Sequence, residues 1–273
     1  MDYEKIIELV YSARDLALDK KLKSHFEMKG EADFVTQTDT AISEYIKRGL
    51  REIAPDVAFV TEEESEHSQS PERFILDPID GTTNLVRGYN MSSISLGYFK
   101  NGKVLFGVVF CPFSNELFFA IPGKGAHIVN TRAGISRLLK TGVENYRGGL
   151  IKVVNREVRS SIVEFGAGST NKRLAEESFE IGKTVFENCL DLRRICSTAM
   201  SLCFIAAGRI DGYFERKIKP WDYAAAHLIL EEAGGKLTKW NGEALPFNGN
   251  STIIAGTPNV YEFLNGLLKV REV

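Results

Sequence analysis

Cysteine is scarce in this chain: four occur among 273 residues, Cys111, Cys189, Cys196 and Cys203, and no two form a CxxC pair. That usage excludes a disulfide scaffold and predicts buried free thiols in a reducing interior. Long apolar runs are missing too, since charged or polar residues interrupt every hydrophobic stretch short of the ~18 residues that a membrane span needs. The opening MDYEKIIELV is acidic and amphipathic, unlike a signal peptide. A cytoplasmic protein with no membrane partner is therefore expected. Neither sign of charge is in excess: 34 Lys and Arg face 36 Asp and Glu, a formal net charge of -2. With no Arg/Lys-rich stripe either, nothing pulls the chain toward nucleic acid, and none is expected as a partner. There is no internal repeat, no low-complexity tract and no GxSxG nucleophile elbow. His25, His67, His127 and His227 stand isolated, and no His or Cys falls at metal-ligand spacing.

What is present is the composition of an ordinary globular protein, 44% hydrophobic, 26% charged and 10% aromatic, which supplies a sizeable core. The length suits one large domain or two intimate halves, 1–140 and 141–273. Apolar residues at Ile6, Leu9, Val10, Ala13, Leu16 and Ala17 predict a helix over residues 3–23. A second helix, N-capped by Thr38-Asp39, carries Ile42, Tyr45, Ile46, Leu50 and Ile53 and stops at Pro55. Residues 58–60 and 74–76 read as strands that run into acidic residues. Residues 92–130 read as an antiparallel meander cut by Asn101-Gly102 and by turns at 112–115 and 122–125. The second half alternates. It predicts a strand at 150–154, a helix at 174–185, a helix at 197–207 with Cys196 and Cys203 as core thiols, and a strand at 212–214. A helix at 223–233 ends at Gly234-Gly235, strands follow at 236–240 and 253–255, and a last helix starts at Pro258. Mixed and antiparallel sheets layered with helices, an α+β architecture, follow from that order.

The chemistry is concentrated in Ile75-Leu76-Asp77-Pro78-Ile79-Asp80-Gly81-Thr82-Thr83-Asn84. A strand runs into two carboxylates three residues apart, and Pro78 between them stiffens the turn by fixing its own φ and biasing Asp77 toward an extended backbone. Rigid carboxylates suit hard cations. Gly81 to Asn84 then offer a permissive backbone and two hydroxyls at a helix start, where free N–H groups accept an anion such as phosphate. Glu62-Glu63-Glu64 follow one strand end, and Asp222 follows Trp221 at a helix start. Each piece has an ordinary reading alone: an Asp-Gly turn, a solvated Glu run, an N-cap aspartate beside a core indole. Together they supply Glu62, Asp77, Asp80 and Asp222 from three element ends. Oxygen-only ligation selects Mg²⁺ or Mn²⁺, and Mg²⁺ works with few carboxylates, several waters and the substrate's phosphate.

In these residues the chain resembles the inositol monophosphatase superfamily, in its archaeal-type branch that also accepts fructose 1,6-bisphosphate. Four segments carry the likeness in order: Asp33 to Asp39, the Glu-Glu element, Asp77 to Asn84, and Trp221-Asp222 with Ala233-Gly234-Gly235. The resemblance implies a layered αβαβα sandwich, a homodimer, and Mg²⁺-dependent hydrolysis of inositol 1-phosphate or fructose 1,6-bisphosphate. It implies two or three Mg²⁺ ions, with Mn²⁺ as a substitute. Glu62 and Asp77 with the Ile79 carbonyl would hold the first ion, and Asp77, Asp80 and Asp222 the second. Asp80, Gly81, Thr82 and Thr83 would contact the substrate's phosphate region, Asp39 with the Thr82 hydroxyl would activate the water beside Glu62, and Glu215 would meet sugar or inositol hydroxyls. The family reads Gly-Glu-Glu where this chain has Thr61-Glu62-Glu63-Glu64, so Glu62 is the preferred ligand and Glu63 its alternative. Around Met28-Lys29-Gly30 the family's loop lysine has no aligned counterpart. Arg193-Arg194 are either solvated strand-end charges or a clamp for a second phosphate. Competing readings are a nucleotidase acting on adenosine 3′,5′-bisphosphate and a non-catalytic protein working through protein or RNA contact.

Overall fold

A computed structural model describes residues 1–24, 26–28, 34–62, 69–130, 132–167 and 172–271, with the backbone alone for residues 23, 24, 26, 28, 34 and 35. His25, Lys29, Gly30, Asp33, Glu63, Glu64 and His67 lie outside the described residues.

The larger sheet has seven strands in chain order: Ala58–Thr61, Glu72–Asp80, Ser93–Lys100, Lys103–Cys111, Glu116–Ala120, Ala126–Val129 and Leu150–Ile151. Its first pair is parallel and every later pair antiparallel. The expected meander is present. Asn101 and Gly102 turn it with successive φ values of 50° and 85°, the left-handed pair that a tight hairpin demands and that Asn-Gly adopts at little cost. Beside a two-stranded ribbon of Phe26–Met28 and Phe34–Thr36, the smaller of the two main sheets runs Asp191–Arg193, Ile162–Phe165, Gly212–Ile218, Ser251–Gly256, Lys236–Thr238, parallel in its first two pairings and antiparallel in its last two.

Strand alternation sorts the core into layers. Phe74 and Leu76 face the outer helices Tyr3–Ser12 and Gln37–Ile53, meeting Ile6, Ile7, Val10, Ile42, Ile46 and Leu50. Ile75 points the other way, into a central core with helices Thr198–Ala206 and Pro220–Glu232. The smaller sheet closes that core, and its far face packs Val163, Phe165, Phe214 and Ile254 against helices Ala175–Asn188 and Pro258–Leu268. The order is helices, sheet, helices, sheet, helices. Gly107 has a structural reason: a Cβ there would collide with the Ala225 backbone. Bare sheet backbone thus lets the Pro220–Glu232 helix settle close, which brings Asp222 down to the sheet's acidic end.

The structure corrects several expectations. The helix over 3–23 is three segments, Tyr3–Ser12, Arg14–Leu18 and Lys20–Ser24; Asp19 is extended at ψ 115° and its carboxylate accepts from the Lys21 N–H, ending one segment and capping the next. Thr36, not Thr38-Asp39, caps the second helix, and Asp39 sits inside it, accepting from the Thr36 N–H in a capping box. The 223–233 helix starts earlier, at Pro220, so Asp222 lies within its first turn rather than at the cap. Cys196 is not a core thiol: it is exposed, precedes the Thr198–Ala206 helix and has a left-handed φ of 58°, whereas Cys111, Cys189 and Cys203 are buried. Strand Ile162–Phe165 and the helix Arg132–Thr141 were not anticipated, while Arg193, one of the two offered as strand-end charges, does end the short strand Asp191–Arg193. No helix among the described residues is long and apolar enough to cross a membrane.

Candidate metal centre and active site

The Glu72–Asp80 strand, buried from Arg73 onward, delivers Asp77 and Asp80 to one end of the sheet. Its pairing with Ser93–Lys100 shifts register between Asp77 and Asp80, where Pro78 cannot donate to the ladder. This irregularity replaces strict alternation with a local turn, and the Asp77 Oδ1 accepts from the Ile79 N–H at 3.0 Å. Glu62 immediately follows Thr61, which pairs with Leu76 in the parallel strand alongside, so the neighbouring strand end sets it beside Asp77. Asp222 arrives from the central helix, its Oδ2 accepting from the Lys219 N–H at 2.9 Å.

Asp77 and Asp80 differ in how the protein treats their charge. Asp80 rests at the start of the Thr198–Ala206 helix, accepting from the Ser197 hydroxyl at 2.7 Å, the Ala199 N–H at 2.8 Å and the Thr198 N–H at 3.2 Å. A helix N-terminus favours an anion, and burial still raises the Asp80 pKa to about 6. The Asp77 pKa is raised well above its ordinary value, first through burial and then through the charges of Asp80, Asp222, Glu62 and Asp39, in that order. Asp222 is raised in the same way, by burial and then chiefly by Asp80, with Glu215 and Glu62 adding to it. The strongest charges acting on these groups are all negative. Like charges held this close in a buried site are relieved by a retained proton or by a bound cation. Among the described residues no group of three or more His, Cys, Asp or Glu side chains forms a ready-made metal cage; the donor set instead suits an ion that keeps water and substrate oxygens among its ligands.

Beside the acids stands a hydroxyl and carboxylate pair. The Thr82 Oγ1 lies 3.1 Å from the Asp39 Oδ1 and 3.0 Å from the Ile79 carbonyl, and one proton serves both acceptors. Asp39 is fixed by the Thr36 N–H at 3.0 Å on its other oxygen; burial raises its pKa while these hydrogen bonds pull it back. Gly81 opens the Thr82–Val86 helix with φ 88°, and a Cβ there would press on the Met91 and Cys196 carbonyls. Only glycine meets both demands. Thr83 is exposed on that turn.

Glu215 stands close enough to raise the Asp222 pKa, and its Oε2 accepts from the Tyr213 hydroxyl at 2.6 Å. A side chain at Gly166 would overlap that carboxylate. Arg193 pairs with Asp191 at 2.6 Å, while Arg194 lies over the Phe165 and Phe179 rings and donates to the Cys196 sulfur at 3.6 Å. The sequence reading missed Ser197, Tyr213 and Gly166. Ser197 carried a signal, a serine directly before an apolar helix; Tyr213 and Gly166 act through tertiary proximity and carried none.

A layered sandwich of this kind, with its acids gathered where strand and helix ends meet, defines a class of fold and site. The chain belongs to the inositol monophosphatase family, whose model matches residues 3–271. It is 35% identical over 240 residues to the Nus factor SuhB of Pasteurella multocida, covering 87% of this chain and 84% of the relative. The extragenic suppressor protein suhB of Bartonella henselae superposes with a TM-score of 0.83 at 28% identity, covering 98% of both chains. An IMPase of Thermotoga maritima superposes at 0.80 and 26% identity, over 97% of this chain and 96% of its own.

Proposed function

We propose that the protein is a divalent-metal-dependent phosphomonoesterase, with Mg²⁺ as the preferred ion, acting on inositol 1-phosphate, fructose 1,6-bisphosphate or both. One observation carries the reading: four buried or half-buried acids, Glu62, Asp77, Asp80 and Asp222, oppose one another electrostatically beside the Thr82 and Asp39 pair. Glu62, Asp77 and the Ile79 carbonyl would hold one ion, and Asp77, Asp80 and Asp222 another. When bound, two such ions neutralise the charge of an in-line displacement at phosphorus and acidify the attacking water.

The chain's own groups do the rest. The Thr82 hydroxyl donates to Asp39, which leaves its lone pairs to accept a proton from the water and pass one on to the Asp39 carboxylate. Glu62 flanks that water. Gly81, Thr82 and Thr83 present the first turn of a helix to the phosphate oxygens, and Glu215 accepts hydrogen bonds from polyol hydroxyls. Water oxygen bonds to phosphorus as the ester P–O bond breaks, and solvent protonates the departing alkoxide. The test is phosphate release from inositol 1-phosphate, fructose 1,6-bisphosphate, adenosine 3′,5′-bisphosphate and an aryl phosphate, ranked by kcat/KM. A ranking led by the adenosine bisphosphate would replace the sugar and polyol reading with the nucleotidase.

A second reading rests on the name Nus factor carried by relatives at 31–35% identity. It adds a macromolecular partner to the small phosphorylated substrate and goes against the expectation that nucleic acid is no partner. The near-neutral charge keeps such contact to a local patch. An Asp77→Asn variant separates the two, since it removes hydrolysis and leaves an outer surface unchanged.

A further inference from the structure

The Glu72–Asp80 strand carries a second uncompensated charge near its other end. Arg73 is 3% exposed, and its guanidinium meets no carboxylate among the described residues. Its Nη1 donates to the Ser70 carbonyl, its Nη2 donates to the Phe247 carbonyl at 2.7 Å, and the Phe99 ring lies 3.9 Å away. Its Nε is buried without a partner. Carbonyl dipoles satisfy two donors and do not cancel a unit charge. Burial accordingly pulls the Arg73 pKa down. The adjacent acid does not help: Glu72 is engaged with Tyr98 and with Lys100 at 2.9 Å, and strand alternation sends its side chain to the opposite face.

Arg73 lines a cleft of about 350 Å³ together with Gln69, Ser70, Asn101, Phe247 and Asn248, and among the described residues no acid contributes to the lining. The Asn248 Nδ2 donates to the Gln69 Oε1 at 3.3 Å, bridging the two loops that form the rim. The volume falls at the small end of ligand sites, which span about 300–1,000 Å³. Asp77 is four positions beyond Arg73 on the strand, about 13 Å along an extended chain. The cleft is therefore distinct from the acid cluster, and its charge has the opposite sign.

We propose that this cleft binds a small organic oxyanion, a phosphate ester or a carboxylate, whose charged group faces the Arg73 guanidinium and whose body rests between the Phe247 ring and the carboxamides of Gln69, Asn101 and Asn248. Such a ligand supplies the counter-charge that the protein withholds from Arg73. The proposal does not depend on the phosphatase reading.

The test is calorimetric titration of protein stripped of divalent ions and desalted, a state in which the acid cluster repels anions. Glucose 6-phosphate, citrate and neutral glucose are the probes. The expected result is saturable binding of glucose 6-phosphate, citrate or both, with no binding of glucose; which anion binds identifies the phosphate or the carboxylate as the recognised group. Asn248→Asp places a negative charge on the rim of the folded protein and weakens binding by about tenfold or more, with Mg²⁺-supported phosphate release unchanged. Arg73→Met abolishes binding where it folds. Absence of saturable binding of both anions, or equal affinity in the Asn248→Asp protein, overturns the proposal and leaves Arg73 as a fastener of the 246–248 loop.

Discussion

One strand, Glu72–Asp80, ends in two environments that mirror each other. Near its start a buried guanidinium faces no carboxylate among the described residues; at its finish buried carboxylates face one another. The compensation differs. Arg73 is held by two backbone carbonyls and an aromatic face, which satisfy donors without cancelling its charge. Asp77 receives one backbone N–H and stands among Asp80, Asp222, Glu62 and Asp39, so folding without a cation works against it. Asp80 lies between these extremes, because a helix start and the Ser197 hydroxyl offset part of its burial. The difference separates a charge whose donors the backbone partly satisfies from charges that repel one another.

The strongest way to break this contrast is to remove the charge at its centre. Asp77→Asn takes one ligand from both ion positions and is expected to cut kcat by about a thousandfold, ~4 kcal/mol of transition-state stabilisation. Steady-state phosphate release at saturating Mg²⁺ measures it. The same variant should melt higher than the parent at pH 7 without divalent ions, because its repulsion is gone. Full turnover in the Asp77→Asn protein would remove Asp77 from the chemistry.

Next in size is the pH dependence of stability in the metal-free protein. Asp80 moves from 3.8 to about 6 on folding, so the folded state holds a proton that the unfolded state has released between those values. Its contribution is present below about pH 4 and lost as pH rises through about 6, on the order of 3 kcal/mol. Asp77 and Asp222 shift in the same direction. Thermal melts should therefore fall between pH 4 and 7, and Mg²⁺ at pH 7 should restore the loss. Melts that rise over that range without metal would contradict the charge cluster.

Much of the site is legible because its ligands belong to short local strings. Asp77, Pro78, Asp80 and Gly81 lie within five residues, and a proline between acids at a strand end has a direct steric meaning. The meander was legible for a similar reason, since Asn101-Gly102 encodes its own turn. What sequence did not disclose depends on contacts between distant residues. Ser197 meets Asp80 across 117 positions. The strands Ile162–Phe165 and Asp191–Arg193 are short, and they pair in parallel without a turn signal between them. The first helix failed through local chemistry, because the Asp19 carboxylate found a backbone partner two residues on.

Two smaller effects sharpen the account within the acidic end. Thr82→Ala removes the hydroxyl between Asp39 and the Ile79 carbonyl and should lower kcat by about thirtyfold, ~2 kcal/mol, with the Mg²⁺ dependence unchanged. A variant that needed more Mg²⁺ but kept its kcat would shift Thr82 from water activation to metal binding. Arg194→Ala should raise the KM for fructose 1,6-bisphosphate by about tenfold, ~1.4 kcal/mol, and leave inositol 1-phosphate unaffected. Arg194 is the better candidate of the two arginines because Arg193 is already paired with Asp191. Equal losses on both substrates would make its stacking on Phe165 and Phe179 structural.

On the proposed function, the buried acids hold divalent cations for phosphate ester hydrolysis. The initial rate of phosphate release from inositol 1-phosphate, measured after chelation and then across a Mg²⁺ titration, tests it most directly. The account predicts no release in excess EDTA, a rise to saturation with Mg²⁺, and inhibition when Ca²⁺ is added, since its looser and longer coordination does not fit a site suited to bonds of about 2.0–2.1 Å. Undiminished release in EDTA would contradict it.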